Sequence, residues 1–431
     1  MASDTPTTET PAPAPAVDKP PSLWKNRDFL KLWLGYTTSQ LGSQITVVAM
    51  PLVAIVILGA NEAEVGTLGA VSRLPFLLFL FAGFWADRFR KRPTMIAADV
   101  GRALLLFLIV VMYLTGTLTL FWLGTITFFS VSMFVFFEVA NMSHLPFLVG
   151  REHLGDGNAK LQLSNSVSRI AGNSIGSALV SVFAAALVLV VDVVTFLVSA
   201  VSCALIRKPE PEPASEGDRP SVFSSIAEGL RWVWRDRLIR PSVLAAGCYM
   251  FFYTGIEVLL PLWMVDGLGL SPYWLGILLA VGGPGAILGS LLATRSMKWI
   301  GIGPAFFWPT VVGNLSLFLV ALATGPTWLL LVMIGATQFL LGITGPIAMV
   351  ASATLRMGAT PQQLQGRVMA SQRAVALSLA PLGALLTGLL AAGIGMRATL
   401  LICAAGAVVP IFVLALSPVL KTKGMPEPQE H

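Results

Sequence analysis

Charge is scarce in this chain. Its 431 residues hold 22 Asp and Glu and 28 Lys and Arg, 12% in all, where a soluble domain carries about a quarter. A water-facing globule cannot be clothed with so few ions. Histidine and cysteine are rarer still, three of each. Cys203, Cys248 and Cys403 each lie alone in an apolar stretch, while His144, His153 and His431 are scattered. This excludes a disulfide scaffold and gives no ligand spacing for a metal. No GxxxxGK[ST] run and no Ser/His/Asp or Cys/His pattern appears, so neither nucleotide hydrolysis nor another enzyme activity is expected, and no cofactor. What the chain has instead is grease: 55% hydrophobic residues and a mean hydropathy of +0.78.

A membrane-crossing helix needs about 20 apolar residues. Apolar runs fall at about 32–58, 65–86, 94–115, 119–141, 162–182 and 184–206, and again at about 241–265, 272–295, 304–324, 327–350, 367–391 and 394–417. The expected fold is all-α and integral to the membrane, with twelve spans in two six-helix bundles. The implied divisions are a cytoplasmic tail over 1–27, a first bundle over 28–206, a linker over 207–240, a second bundle over 241–418 and a tail over 419–431. The Pro/Ala-rich segment before Lys25 reads as a flexible leader, not a cleaved signal. Within the linker, Phe223, Ile226, Leu230, Val233 and Trp234 recur at helical spacing, which predicts an amphipathic surface helix. Glycine and proline at Gly282-Gly283-Pro284-Gly285 predict a bend in the eighth span.

The net charge of +6 is distributed as topology signals and not as a nucleic-acid face. Of the 28 basic residues, all but Arg73, Arg102, Arg169, Arg373 and Arg397 fall in the tails, the linker or the loops on the N-terminal side of the bilayer. That asymmetry predicts a cell-membrane protein with both termini in the cytoplasm.

Between the second and third runs stands Gly83-Phe-Trp-Ala-Asp87-Arg88-Phe-Arg90-Lys91-Arg92. It resembles motif A of the major facilitator superfamily, G-x-x-x-D-R-x-G-R-R, with Arg90 where the second glycine usually stands. The first span, Asp99-Val-Gly-Arg102, Val191-Asp192-Val-Val-Thr-Phe and Gly366-Arg367-Val-Met are similar to the branch holding macrolide-efflux and enterobactin-exporter proteins. The resemblance implies the two-bundle fold, no cofactor, a monomer, and export of hydrophobic or amphipathic small molecules such as drugs, antibiotics or siderophores, coupled to protons. Two departures are visible. Ser43 stands where that branch often has an acid, and Gly172-Asn173-Ser-Ile-Gly176-Ser177 lacks the antiporter-motif proline. Import of a small solute, or a non-transporting receptor or scaffold, are the alternatives.

The motif also makes physical sense. Asp87 lies at the C-terminal end of its helix, where the macrodipole disfavours a carboxylate, so it needs a positive partner. The start of the eleventh span, at Gln365-Gly366-Arg367, is the expected one. Gly83, Asp87, Arg88, Arg90, Arg92 and Arg367 are therefore the expected gate.

Ionisable groups inside apolar runs cost about 2.5–3.5 kcal/mol each on insertion scales and mark function by default. Glu257, Asp192 and Glu138 are the candidates for proton coupling. Glu257, with apolar neighbours, is read either as a desolvated proton carrier or as a structural carboxyl neutralised by an arginine. Glu138 is expected to pair with Arg102 or Arg169. Gln40, Gln44, Arg73, Tyr249, Asn314 and Gln338 are the candidate cavity residues. For any single amide, hydrogen bonding between helices is the simpler reading.

Overall fold

The structure is a computed structural model that describes residues 23–81, 90–150, 153–208, 210, 230–361 and 364–426. Among the described residues, and apart from a short linker helix beginning at Leu230, the helices group into successive rods numbered α1 to α12. In the first half they are α1 (Arg27–Leu52, extended by a π-helical turn, Val53–Ile57), α2 (Glu62–Arg73, continued as a 3-10 stretch, Leu74–Phe81), α3 (Lys91–Leu114), α4 (Leu120–Val149), α5 (Leu154–Val182) and α6 (Ala185–Ala204). In the second half they are α7 (Ile239–Leu262, with a π turn at Trp263–Gly267), α8 (Tyr273–Ile300), α9 (Ile302–Ala321), α10 (Thr327–Ala359), α11 (Gln365–Ile394) and α12 (Met396–Gly406 and Val409–Ala415). Ten are long and apolar enough to cross a membrane; α2, whose regular part is short, and the more polar α5 are the others. Large apolar side chains such as Leu104, Phe121, Val182, Leu291 and Phe412 point outward. In water they would form sticky patches, whereas a bilayer solvates them.

Local chemistry sets the ends of the rods. Asn26 accepts from the N–H groups of Asp28 and Phe29 to begin α1, and Asn61 with Glu64 forms a capping box on α2. Asp236 accepts from Leu238 and Ile239 where α7 begins. Basic residues close the other ends, where carbonyls lack partners. Lys208 Nζ donates to the Phe147 carbonyl at the end of α4, and Lys31 Nζ to the Leu205 carbonyl just past α6.

The two halves repeat one plan. Pro51-Leu52, the π turn and Leu58-Gly59 at the end of α1 recur as Pro261-Leu262, a π turn and Leu268-Gly269 at the end of α7. Both glycines hold a positive φ, +65° and +64°, which a side chain would oppose. Within the first bundle α1 packs on α5 and α6, α3 on α4 and α6, and α2 on α4; the second bundle repeats this as α7 on α11 and α12, α9 on α10 and α12, and α8 on α10. Between bundles the main seams are α2 with α11 and α5 with α8.

The 282–285 segment, where a bend is expected, lies inside a helix that is continuous from Tyr273 to Ile300 through Pro284. Its glycines let α10 approach: a methyl group on Gly285 would fall on the Phe339 carbonyl, and one on Gly289 on the Ile343 carbonyl. Two expectations need correction. The second span is not one regular helix, because it tightens to 3-10 geometry from Leu74, beside Pro75. In the linker, Val233 is buried and Trp232 packs with it against α7, α11 and the end of α10, while Trp234 is exposed. Phe223 and Ile226 lie outside the described residues, and Leu230 is the first helical residue described.

Candidate transport site

The bundles join unequally at their two ends. At the distal end, where α1 finishes and α2 starts, one apolar cluster runs through both bundles, from Ile45, Leu52 and Val65 to Leu259, Met264, Leu275 and Leu400. At the proximal end, where α1 starts and α12 finishes, each bundle keeps its own core. One gathers Phe29, Leu32, Met95, Phe137 and Leu148; the other gathers Phe306, Phe307, Leu355 and Leu414.

Glycine makes the distal seal. A methyl group on Gly66 of α2 would come 2.5 Å from Gly388 Cα of α11, and one on Gly388 would come 2.6 Å from Gly66 Cα. On the other seam, Ser177 Oγ of α5 donates to the Tyr273 carbonyl of α8, and a methyl on Gly276 would come 2.7 Å from Ser177 Cβ. At Gly66 and Gly388 two backbones touch with no side chain between them, and at Gly276 the α8 backbone meets the Asn173 carbonyl and the small Ser177 side chain of α5. Nearer the proximal end, α11 still leans across, with Arg373 lying 4.2 Å over the Phe79 ring.

Just inside the seal an ion pair crosses between bundles. Arg73 Nη2 of α2 donates to Glu257 Oε2 of α7 at 2.6 Å, with 21% and 49% of the two side chains exposed. The apolar burial expected around Glu257 is thus not found. Its neighbours Ile256 and Val258 are buried, but its own carboxyl reaches open space between the bundles. Below it on the same helix, Tyr253 and Tyr249 stack at 5.0 Å. Arg169 of α5 is within electrostatic range of Tyr253.

The first bundle encloses a second, denser group of charges. Arg102 of α3 is 7% exposed and donates from Nη2 to Ser43 Oγ of α1 at 3.0 Å. Its guanidinium lies 3.8 Å over the Phe196 ring and 5.3 Å from that of Phe134. Asp192 of α6, 1% exposed, accepts from Thr46 Oγ1 at 2.5 Å and from Thr195 Oγ1 at 2.9 Å. It fits because a methyl group on Gly42 would occupy the place of its Oδ1. Glu138 of α4 accepts from Gln40 Nε2 of α1 at 3.2 Å. Asp99, one turn before Arg102, is 0% exposed, and neither of its carboxyl oxygens has a hydrogen-bond partner.

The remaining expected residues divide. Gln40 turns into the first bundle toward Glu138, while Gln44 is half-buried against Gly172 of α5. Gln338 is half-buried on α10, its carbonyl beside Gly282 of α8. Asn314 does not line a cavity. It is buried and donates to the Ala407 carbonyl at 2.7 Å, satisfying α12 where that helix breaks. Of the expected gate, Gly83, Asp87 and Arg88 lie outside the described residues, and so does the anticipated contact between Asp87 and α11. Arg90 precedes α3 in extended backbone. Arg92 donates to the Cys203 carbonyl at 3.1 Å and to that of Ala204, covering the end of α6. Arg367 lies in the first turn of α11, and beside it Gln365 Nε2 donates to the Met357 carbonyl of α10 at 3.2 Å.

Asp99 was not among the expected proton-coupling residues. The available signal was its spacing from Arg102: an acid and a base one turn apart inside an apolar run share a face, and that face must be turned from lipid.

A duplicated six-helix plan with paired inter-bundle seams is the frame into which these residues fall, and the model of the Major Facilitator Superfamily matches residues 32–380. The chain belongs to the Major Facilitator Superfamily. Over 391 residues it is 25% identical to the multidrug efflux pump Tap of Mycolicibacterium fortuitum, covering 88% of this chain and 92% of that one. It is 24% identical to macrolide efflux protein A of Streptococcus pyogenes over 275 residues, 62% of this chain and just under two thirds, 66%, of that protein. Among solved structures, a mutant of the nucleoside transporter NupG superposes with a TM-score of 0.75 at 11% identity, over 90% of this chain and 99% of that one. A bacterial homologue of the iron transporter ferroportin, in an inward-facing state, gives 0.70 at 15% identity, over 92% and 99%. At such identities the structures speak for the fold alone. This superfamily member is therefore a multi-pass membrane transporter.

Proposed function

We propose that the protein exports hydrophobic or amphipathic small molecules from the cytoplasm, in exchange for protons, by alternating access of its two bundles. The carrying observation is the unequal seam. Backbones touch across glycine at the distal end, while the proximal cores stay separate and a half-exposed ion pair from opposite bundles lies just inside the seal. Such an interface can open at one end only by closing at the other. With both termini in the cytoplasm, this arrangement is the one that accepts solute from inside the cell.

In this reading each monomer holds a complete pathway in the cell membrane. Arg73 and Glu257 act as a latch on the cavity side of the seal, holding the bundles until solute or a changed charge state parts them. Tyr249, Tyr253, Gln44 and Gln338 offer aromatic and amide surface to a bulky, partly apolar solute. The chain's similarity to a multidrug efflux pump and a macrolide efflux protein supports the direction and the breadth of substrate. The motif from Gly83 to Arg92 acts as the proximal gate with Arg367.

Purified protein in liposomes with an acidic lumen tests this. Ethidium and erythromycin added outside are expected to accumulate inside as protons leave, and collapse of the pH difference should release them. No accumulation across a chemically diverse panel removes the reading. Accumulation that requires protons to move with the solute makes the protein an importer.

A further inference from the structure

Three carboxyls share one guanidinium inside the first bundle. Asp99, Asp192 and Glu138 are all within electrostatic range of Arg102, and among the described residues none forms a direct ion pair with it. The other titratable groups facing this set are few. Arg373 of α11 is in range of Glu138, Cys203 of α6 is near Asp99, and Arg92 is near Cys203. From α1 come Ser43, Thr46 and the amide of Gln40, together with the buried phenol of Tyr36, which is in range of Glu138.

Were all three carboxyls ionised, the bundle would hold a surplus of buried negative charge, and an uncompensated buried ion is unfavourable by several kcal/mol. The group therefore holds protons. Hydrogen-bond donors decide where, because a donor favours the ionised form. Asp192 has two hydroxyl donors and Glu138 an amide donor. Asp99 has none. Its one hydroxyl neighbour, Ser199, also makes no hydrogen bond as it stands, and that hydroxyl can accept from a protonated Asp99 as well as donate to an ionised one, so Asp99 is the least satisfied of the three carboxyls.

We infer that Asp99 is the carboxyl that takes up and releases the transported proton, with Arg102 as the positioning cation that its charge state directs. The inference rests on the proton-coupled reading above and deepens it. Protonation forms one O–H bond on Asp99 with a proton drawn from water on one side of the membrane. Release returns that proton to water on the other, and no electrons move. When Asp99 is ionised, Arg102, one turn along α3, is held by its own helix. When Asp99 is neutral, Arg102 is left to Asp192 of α6 and Glu138 of α4. Glu138, half-buried, hydrogen-bonded to α1 and in range of α11, carries that change toward the seam between bundles.

The test uses liposomes bearing the full chain, with ethidium and erythromycin as probes, and compares wild type with Asp99→Asn, Asp99→Glu, Asp192→Asn and Glu138→Gln. Asp99→Asn is expected to lose proton-driven accumulation by about tenfold or more, and Asp99→Glu should recover part of it. A second measurement does not depend on transport. Infrared difference spectra between acid and neutral pH should show the carbonyl band of a neutral carboxylic acid in wild type, Asp192→Asn and Glu138→Gln, and lack it in Asp99→Asn. Wild-type accumulation by Asp99→Asn, or persistence of the band in it, overturns the assignment. If wild type itself responds to no pH difference, the coupled-exporter reading fails first, which is a distinct result.

Discussion

The two bundles share a plan and differ in what they bury. The first encloses Asp99, Arg102 and Asp192, with Glu138 at its edge, whereas the fully buried polar residues of the second, α7 to α12, are hydroxyl side chains and Asn314 among the described residues. The buried Nε of the half-buried Arg356 and the indole N–H of Trp263 join them. The second bundle spends its small residues on contact instead, as where α10 lies against Gly285 and Gly289 of α8. A duplicated fold has thus been divided between electrostatics and packing. Folding alone requires no such division, since the second bundle meets the same backbone demands with hydroxyls that bond to carbonyls in their own helix, as Thr344 and Ser290 do.

Removing the central cation is the hardest way to break this contrast. Breaking up a buried charge set by deleting one partner destabilises by about 3–5 kcal/mol. Arg102→Met should therefore lower the unfolding temperature in detergent steeply and abolish flux, and adding Asp192→Asn should restore part of the loss. Unchanged stability of the single variant would mean that the first bundle's charges are not coupled.

A bulky residue at the distal seal comes next. Overpacking by a side chain where Gly66 and Gly388 touch costs about 1–3 kcal/mol, which at about tenfold per 1.4 kcal/mol favours the distally open state by up to two orders of magnitude. Gly388→Leu is expected to slow transport by that order and to expose engineered cysteines near Gly66 to membrane-impermeant thiol reagents. Gly345→Ala, where an added methyl meets nothing within 4 Å, should leave labelling and flux at the wild-type level. Equal labelling in both would remove the seal.

The Arg73–Glu257 latch should give a smaller effect, because part-exposed ion pairs contribute only about 0.2–1 kcal/mol. Glu257→Gln is expected to change transport rates a few-fold and to keep the proton requirement. Exchanging the two charges, Arg73→Glu with Glu257→Arg, should bring the rate back. Loss of proton dependence in Glu257→Gln would move the coupling site out of the first bundle.

Least of all, Asn314→Ala removes one buried hydrogen bond, worth about 1 kcal/mol net and up to 3 if the Ala407 carbonyl finds no substitute. It should lower thermal stability and leave substrate affinity alone. A changed affinity would return Asn314 to the cavity.

Much of the fold was legible because lipid imposes coarse rules. Apolar run length marks the spans, while the caps at Asn26, Asn61 and Thr119 emerged only with the structure. The site was legible only in part. Glu257 read either as a desolvated carboxyl or as one neutralised by an arginine, and only the fold chose the second, because Arg73 comes from the other bundle, 184 positions away. Asn314 read as a cavity amide since nothing local reveals that α12 breaks at Ala407 and leaves a carbonyl to be bonded. Asp99 and Arg102 were visible as a pair on one face, but not the company they keep.

By itself the amino-acid order determined that this chain is an all-helical membrane protein, and which stretch bears the family motif. Both depend on composition and spacing along one helix at a time. Tertiary structure alone decided which charges meet, which remain without a donor, and which end of the bundle is shut. Those outcomes depend on the angle and depth at which helices cross, and a single glycine such as Gly66 sets them only through the backbone it touches on another helix.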